Sequence, residues 1–121
     1  DQVKLTDFGL ATYTSHPDAT RRCGTPGYIA PEILSKDTPN YDCRIDMFSL
    51  GVTVFYLLTA ALPFSGENRD EILAKNKTAH VYFPKGFISR SGKNLIRTLC
   101  ARDPDRRLEC SDLSGHAFLL E

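Results

Sequence analysis

Neither sign of charge predominates in this 121-residue chain, because 15 Lys and Arg balance 15 Asp and Glu. A chain without a net field has no electrostatic means of gathering nucleic acid or an acidic membrane surface, so neither is expected as a partner. The 4 cysteines, Cys23, Cys43, Cys100 and Cys110, form no CxxC pair, and the 3 histidines, His16, His80 and His116, fall in no ligand or triad spacing. A zinc site is therefore not expected. Unpaired thiols with no signal peptide before them point to a reducing compartment, cytoplasmic or nuclear. No apolar run reaches the ~18 residues a membrane-spanning helix requires, and the longest charge-free one, residues 48–62, reads as a buried helix. Internal repeats and low-complexity tracts are also missing, and residues 12–22 are the one linker-like stretch.

What is present suffices for one domain with a real core, although the length is small for a complete two-lobed enzyme. Residues 2–6 alternate polar and apolar side chains, with Val3 and Leu5 on one face, which predicts a short strand end before a turn at Asp7. A strand this short needs pairing partners, expected upstream of Asp1. Residues 29–34 predict a brief helix, since Pro31 is tolerated in a first turn. Asp42 reads as the N-cap of a long helix ending at Thr59. Its apolar residues, from Ile45 and Phe48 through Phe55 to Leu58, cover nearly the whole circumference, so it should be buried on every side as the hub of the fold. Asp70 and Glu71 before Lys75 and Lys77 suit the dipole of a further helix, Ser89 reads as the cap of another carrying Leu95, Ile96 and Leu99, and a last short helix is expected over about residues 110–115. The expected fold class is mainly α, with the central buried helix over about residues 43–59.

Two stretches carry chemistry. Asp7-Phe8-Gly9 sets a carboxylate on a turn beside a large apolar anchor and an unrestrained glycine. A single such aspartate can help hold a hard divalent cation if a nucleotide brings phosphate oxygens, because Mg²⁺ favours one or two carboxylates with phosphate and retained water. Gly24-Thr25-Pro26-Gly27-Tyr28-Ile29-Ala30-Pro31-Glu32 alternates turn and anchor residues in the manner of a fixed platform.

With these strings, "DMFSLG" at residues 46–51 and "DPDRR" at residues 103–107, the chain resembles the eukaryotic protein kinase family, Ser/Thr type, in the family's motif order. The resemblance implies that Asp7 chelates Mg²⁺ on the phosphates of ATP, that Phe8 and Gly9 form the apolar switch, and that residues 10–23 are an activation segment whose order is regulated. It further implies a substrate platform at Gly24, Thr25, Pro26, Gly27 and Tyr28, with Thr25 supporting the catalytic groups beside the substrate hydroxyl. Glu32 and Arg107 would form a buried ion pair, and Asp46 would anchor the catalytic loop. Protein substrates follow, together with an upstream kinase or regulatory partner.

The sequence departs from the family in several places. Phe48 stands where tryptophan is usual, and Glu109 where a Ser or Thr cap is usual. Arg21 occupies the usual position of the activating threonine, so Thr20 is the candidate phosphosite, with Thr12, Thr14, Ser15 or no site as alternatives. Tyr56, where cyclic-nucleotide-dependent relatives carry a glutamate, tilts the resemblance towards the calcium/calmodulin-dependent kinase-like branch. No glycine-rich loop, strand lysine or HRD-type loop is found. The chain thus reads as a partial kinase domain over residues 1–121, without N-lobe or catalytic loop, and is expected to be inactive by itself. The alternative reading is a pseudokinase or truncated interaction module whose platform and helix at residues 69–77 bind partners.

Overall fold

The longest helix, α1 (Arg44–Thr59), forms the centre of the computed structural model, which describes residues 2–36, 41–86 and 88–120. Asp42 fixes its start: Oδ1 accepts the backbone N–H of Arg44 at 2.9 Å, and the Arg44 guanidinium donates to both Asp42 oxygens and to Asp105. The Cys43 backbone is already helical, φ -60° and ψ -14°, and makes no side-chain cap, so the capping bond comes from Asp42 as the sequence predicts. At the other end Ala60 turns left-handed, φ 57°, and donates its N–H to Tyr56 O.

Around α1 stand α2 (Arg69–Thr78), α3 (Arg90–Leu99), α4 (Cys110–Leu113) and α5 (Ala117–Leu120), with short 3-10 turns at Pro17–Thr20, Pro31–Leu34 and Pro104–Arg106. Side-chain caps start two further helices: Asn68 accepts from Glu71 N–H at α2 and Ser89 from Gly92 N–H at α3. Each cap satisfies one orphan donor of the first turn, typically worth about 1 kcal/mol. Glu109 precedes α4 without a capping bond, and that helix is only 4 residues long.

α1 and α3 cross where Gly51 lets the backbones meet. A Cβ there would lie 2.6 Å from Cys100 Sγ and 2.7 Å from Leu99 Cβ. Phe48, Val52 and Phe55 of α1 bury against Ile29, Ile33, Phe64, Ile96 and Cys100, with the Phe48 and Phe64 rings stacked at 5.7 Å. A second cluster of Met47, Leu95 and Leu99 is edged by Leu108, Leu113 and Phe118.

Two expectations are corrected. Residues 2–6 form no strand: they run as exposed chain, because an isolated strand finds no ladder partner among the described residues. Nor is α1 covered on every side, since Leu57 is 75% exposed and Tyr56 47%. Its first half meets α3 and the 29–33 segment, whereas no described element lies over the outer face of its second half. Among the described residues no helix is long and apolar enough to cross a membrane.

Candidate active site

The site is built from an exposed acidic turn, a polar segment and a platform locked to the helices beneath it. At the turn, Asp7 has a left-handed backbone, φ 62°, and its Oδ1 accepts the Gly9 N–H at 3.4 Å. Aspartate tolerates this conformation better than most side chains because its carboxylate bonds locally. Residues 2–16 are exposed, Phe8 included, and among the described residues no hydrogen bond ties the turn to the platform.

The following segment is more ordered locally than its composition suggests. His16 caps the Pro17–Thr20 turn by accepting the Asp18 N–H, Ala19 is buried, and the exposed Thr20 donates its hydroxyl to Pro17 O at 2.9 Å. Arg22 donates to the carbonyls of Ser35 and Lys36, and Tyr41 donates its hydroxyl to Arg21 O. Partial burial, with Cys23 nearby, pushes the Tyr41 phenol above its ordinary range, which keeps it protonated as a donor.

In the platform Gly24 and Gly27 adopt φ 127° and 96°, conformations that L side chains rarely adopt. A Cβ at Gly24 would also sit 3.0 Å from Ile29 Cγ1. Tyr28 N–H closes a turn on Thr25 O at 3.0 Å. Ser49 of α1 donates to Tyr28 O at 2.9 Å. The fully buried Asn76 of α2 accepts from Gly27 N–H and donates to Ile29 O, both at 2.9 Å. The Thr25 side chain is exposed, and its hydroxyl has no hydrogen-bond partner among the described residues. The backbone is thus fixed while that hydroxyl stays available.

Beneath the platform the Arg107 guanidinium is fully buried and donates to both oxygens of Glu32, Nη1 to Oε1 at 2.6 Å and Nη2 to Oε2 at 3.0 Å. Its remaining donors reach Arg44 O and Ala101 O, and it lies 5.3 Å above the Phe48 ring. Among the described residues no buried side-chain nitrogen or oxygen lacks a partner. A buried charge pair is tolerable only under that condition. Asp46 behaves otherwise: its side chain is exposed, without a hydrogen-bond or ion-pair partner among the described residues, and partial desolvation by the helix start pushes its carboxyl above the ordinary range.

Glu32 and Arg107 are therefore in contact, and Gly24 to Tyr28 form one unit, whereas Asp7 and Asp46 each stand apart from the other site residues. Asn76 emerges only from the structure, because an asparagine inside a helical stretch carries no motif; Ser49 lies within the 46–51 string, but its bond to the platform is visible only in the fold. No group of three His, Cys, Asp or Glu that could hold a metal exists among the described residues. The exposed Asp7 carboxylate is a hard oxygen donor and suits Mg²⁺ as one ligand of a shared shell with nucleotide phosphates.

Comparison with known proteins identifies the family. The chain is 40% identical over 121 residues to the probable serine/threonine-protein kinase 2 of Plasmodium falciparum (isolate K1 / Thailand), covering 98% of this chain and 23% of that protein. It is 33% identical over 124 residues to the serine/threonine-protein kinase H1 homolog of Pinctada fucata, covering 98% and 29%, and 34% identical over 121 residues to the human calcium/calmodulin-dependent protein kinase type 1B, covering 98% and 35%. The chain thus spans about a quarter to a third of the length of these relatives. The protein kinase domain family matches residues 1–119, and a helical framework without strands among the described residues is consistent with a kinase domain's helical lobe: the chain belongs to the protein kinase family.

Proposed function

We propose that the chain is the carboxyl-terminal portion of the catalytic domain of a protein serine/threonine kinase that transfers the γ-phosphoryl of Mg·ATP to Ser or Thr hydroxyls of protein substrates. The observation that carries this reading is the exposed Thr25 hydroxyl on a backbone fixed at Gly27, Tyr28 and Ile29. Phosphoryl transfer depends on positioning more than on covalent chemistry from the protein, so a rigid surface for the acceptor is what this segment has to supply. Thr25 presents a hydroxyl beside the acceptor, and Asp7 supplies a carboxylate to the metal. Mg²⁺, when bound, neutralises charge on the phosphates.

Thr20 is the proposed regulatory phosphosite. Among the described residues its exposed hydroxyl is held only by Pro17 O, and Arg21 and Arg22 follow it directly, so a phosphate there would meet adjacent positive charge. An upstream kinase or regulatory partner would act at that position. The 121-residue chain alone is inactive, because one metal ligand and a platform do not position nucleotide and acceptor together.

The test compares the complete kinase with its Asp7→Asn variant in a peptide phosphorylation assay. Loss of at least about 100-fold in kcat, with unchanged thermal stability, is expected from removing an electrostatic contact to the transferring group. Transfer insensitive to Asp7→Asn would sink the assigned role. A non-catalytic interaction module is the second reading, favoured by the exposed Tyr56, Leu57 and Leu58 on α1. A complete protein that forms a stable complex through this face but transfers no phosphate would establish it.

A further inference from the structure

α2 is amphipathic in an unusual sense: its one buried residue is polar. Asn76 is 0% exposed, while the helix's apolar residues Ile72 and Leu73 are only half-buried. If α2 merely rested on the core, an apolar side chain would serve better there, since burying an amide gains nothing unless each of its groups is matched. Both ends of the amide are matched, and both partners are backbone groups of the platform. Oδ1 accepts the Gly27 N–H and Nδ2 donates to Ile29 O, each at 2.9 Å, across 49 and 47 residues of sequence. The amide thereby satisfies a backbone donor and a backbone acceptor on either side of Tyr28.

Gly27 cannot easily be held in another way. Its φ of 96° is one that L side chains rarely adopt, and in it the N–H is donated to Asn76 of α2. Ser49 fixes the intervening Tyr28 carbonyl from α1. Two helices thus grip three consecutive platform residues through side chains, and of these grips only that of Asn76 is both doubled and fully buried.

We infer that Asn76 is a positioning residue of the substrate platform: through its amide, α2 sets the geometry in which the Gly27–Ile29 backbone meets the peptide substrate. The inference rests on the kinase reading above for its functional consequence, and on geometry alone for the clamp itself. The bonds of Asn76 go to Gly27 and Ile29 and none goes to Asp7, so it is expected to govern peptide engagement rather than nucleotide binding.

The test uses the complete kinase and two readouts, steady-state kinetics with a peptide substrate and amide hydrogen exchange at Gly27. Asn76→Leu removes both bonds at nearly constant volume; it is expected to raise the peptide KM about 10-fold with the ATP KM within about twofold, and to speed Gly27 exchange by a similar factor, as loss of a buried hydrogen bond implies. Asn76→Gln keeps both groups but displaces them by one methylene, and it should fold with intermediate values. A peptide KM unchanged in both variants, or KM values for peptide and ATP that rise together with a falling melting temperature, would reduce Asn76 to a packing residue. Should Asn76→Leu not fold, the Gln variant and Gly27 exchange in the unaltered protein decide: rapid exchange there, at the rate of the exposed Gly9, would overturn the clamp. Absence of phosphotransfer by the unaltered kinase would overturn the function proposed above and with it the substrate-positioning role, while protection of the Gly27 amide would still establish the clamp as structural.

Discussion

Arg107 and Glu32, 75 residues apart in sequence, meet in a two-armed ion pair that joins the 3-10 turn after Asp103 to the turn that ends the platform. The guanidinium is fully enclosed and also holds Arg44 O and Ala101 O, so a single side chain ties the platform, the start of α1 and the loop after α3 into one body. Rigidity of the platform is therefore a tertiary property, supplied from below by Arg107 and from the sides by Ser49 and Asn76.

Removing Arg107 strands the mostly buried Glu32 carboxylate and three carbonyl contacts. Arg107→Ala is expected to cost about 3–5 kcal/mol, measured as a shift in urea midpoint, whereas the double variant Arg107→Met with Glu32→Leu should recover much of that loss by replacing the pair with apolar volume. A double variant no more stable than Arg107→Ala would contradict an ion pair as the source of the cost.

Gly51 is the contact point of α1 and α3, and a methyl there meets Leu99 Cβ and Cys100 Sγ at under 3 Å. Gly51→Ala should destabilise by roughly 1–3 kcal/mol despite the better helix propensity of alanine. Adding Cys100→Ala removes only one of the two clashes, so rescue should be incomplete. An equilibrium unfolding curve showing Gly51→Ala as stable as the parent would refute the close approach.

Two aspartates at the start of α1 should give opposite pH dependences. Hydrogen bonds from Arg44 hold Asp42 below its ordinary value of 3.8, so its contribution is present above that value and is lost as pH falls through the folded pKa. Desolvation raises Asp46, so its contribution is present below 3.8 and is lost as pH rises through the folded pKa. At about pH 7, therefore, Asp42→Asn should lower the melting temperature and Asp46→Asn should raise it, with both differences shrinking as acid protonates the two carboxylates. Melting curves across that range check the signs, and two shifts of the same sign at neutral pH would count against the assignment.

The thiols should divide by burial. Cys43 and Cys110 are exposed, whereas Cys100 is buried and its thiol is pushed up to about 12, chiefly by desolvation. At about pH 8 a chromogenic disulfide reagent should modify Cys43 and Cys110 in the folded chain and Cys100 only on unfolding. Peptide mapping that finds Cys100 labelled together with the exposed pair would show that the α1–α3 crossing opens far more readily than its packing implies.

Much of the helical framework was legible because its signals are local. Ser89 at α3, the charge gradient of α2 and the apolar density of α1 act within a few residues of where they are written, and the structure places helices there. Residues 2–6 were misread for the complementary reason: alternation describes a strand's faces but provides no neighbour to pair with. Asp42 was legible as the cap of α1, since its carboxylate accepts the Arg44 N–H, but its added grip on the Arg44 side chain is a geometry that propensity does not encode.

The sequence by itself determined the family, through motifs whose residue types are dictated by backbone geometry, such as glycines at the left-handed positions 24 and 27. Only the tertiary structure decided what holds those motifs still. Asn76 and Ser49 look like ordinary polar helix residues until folding brings backbone groups 49 and 21 residues away within 2.9 Å of them. A hydrogen bond of that kind depends on the relative placement of two elements, and that placement follows from how α1, α2 and the platform share one core rather than from any pattern along the chain.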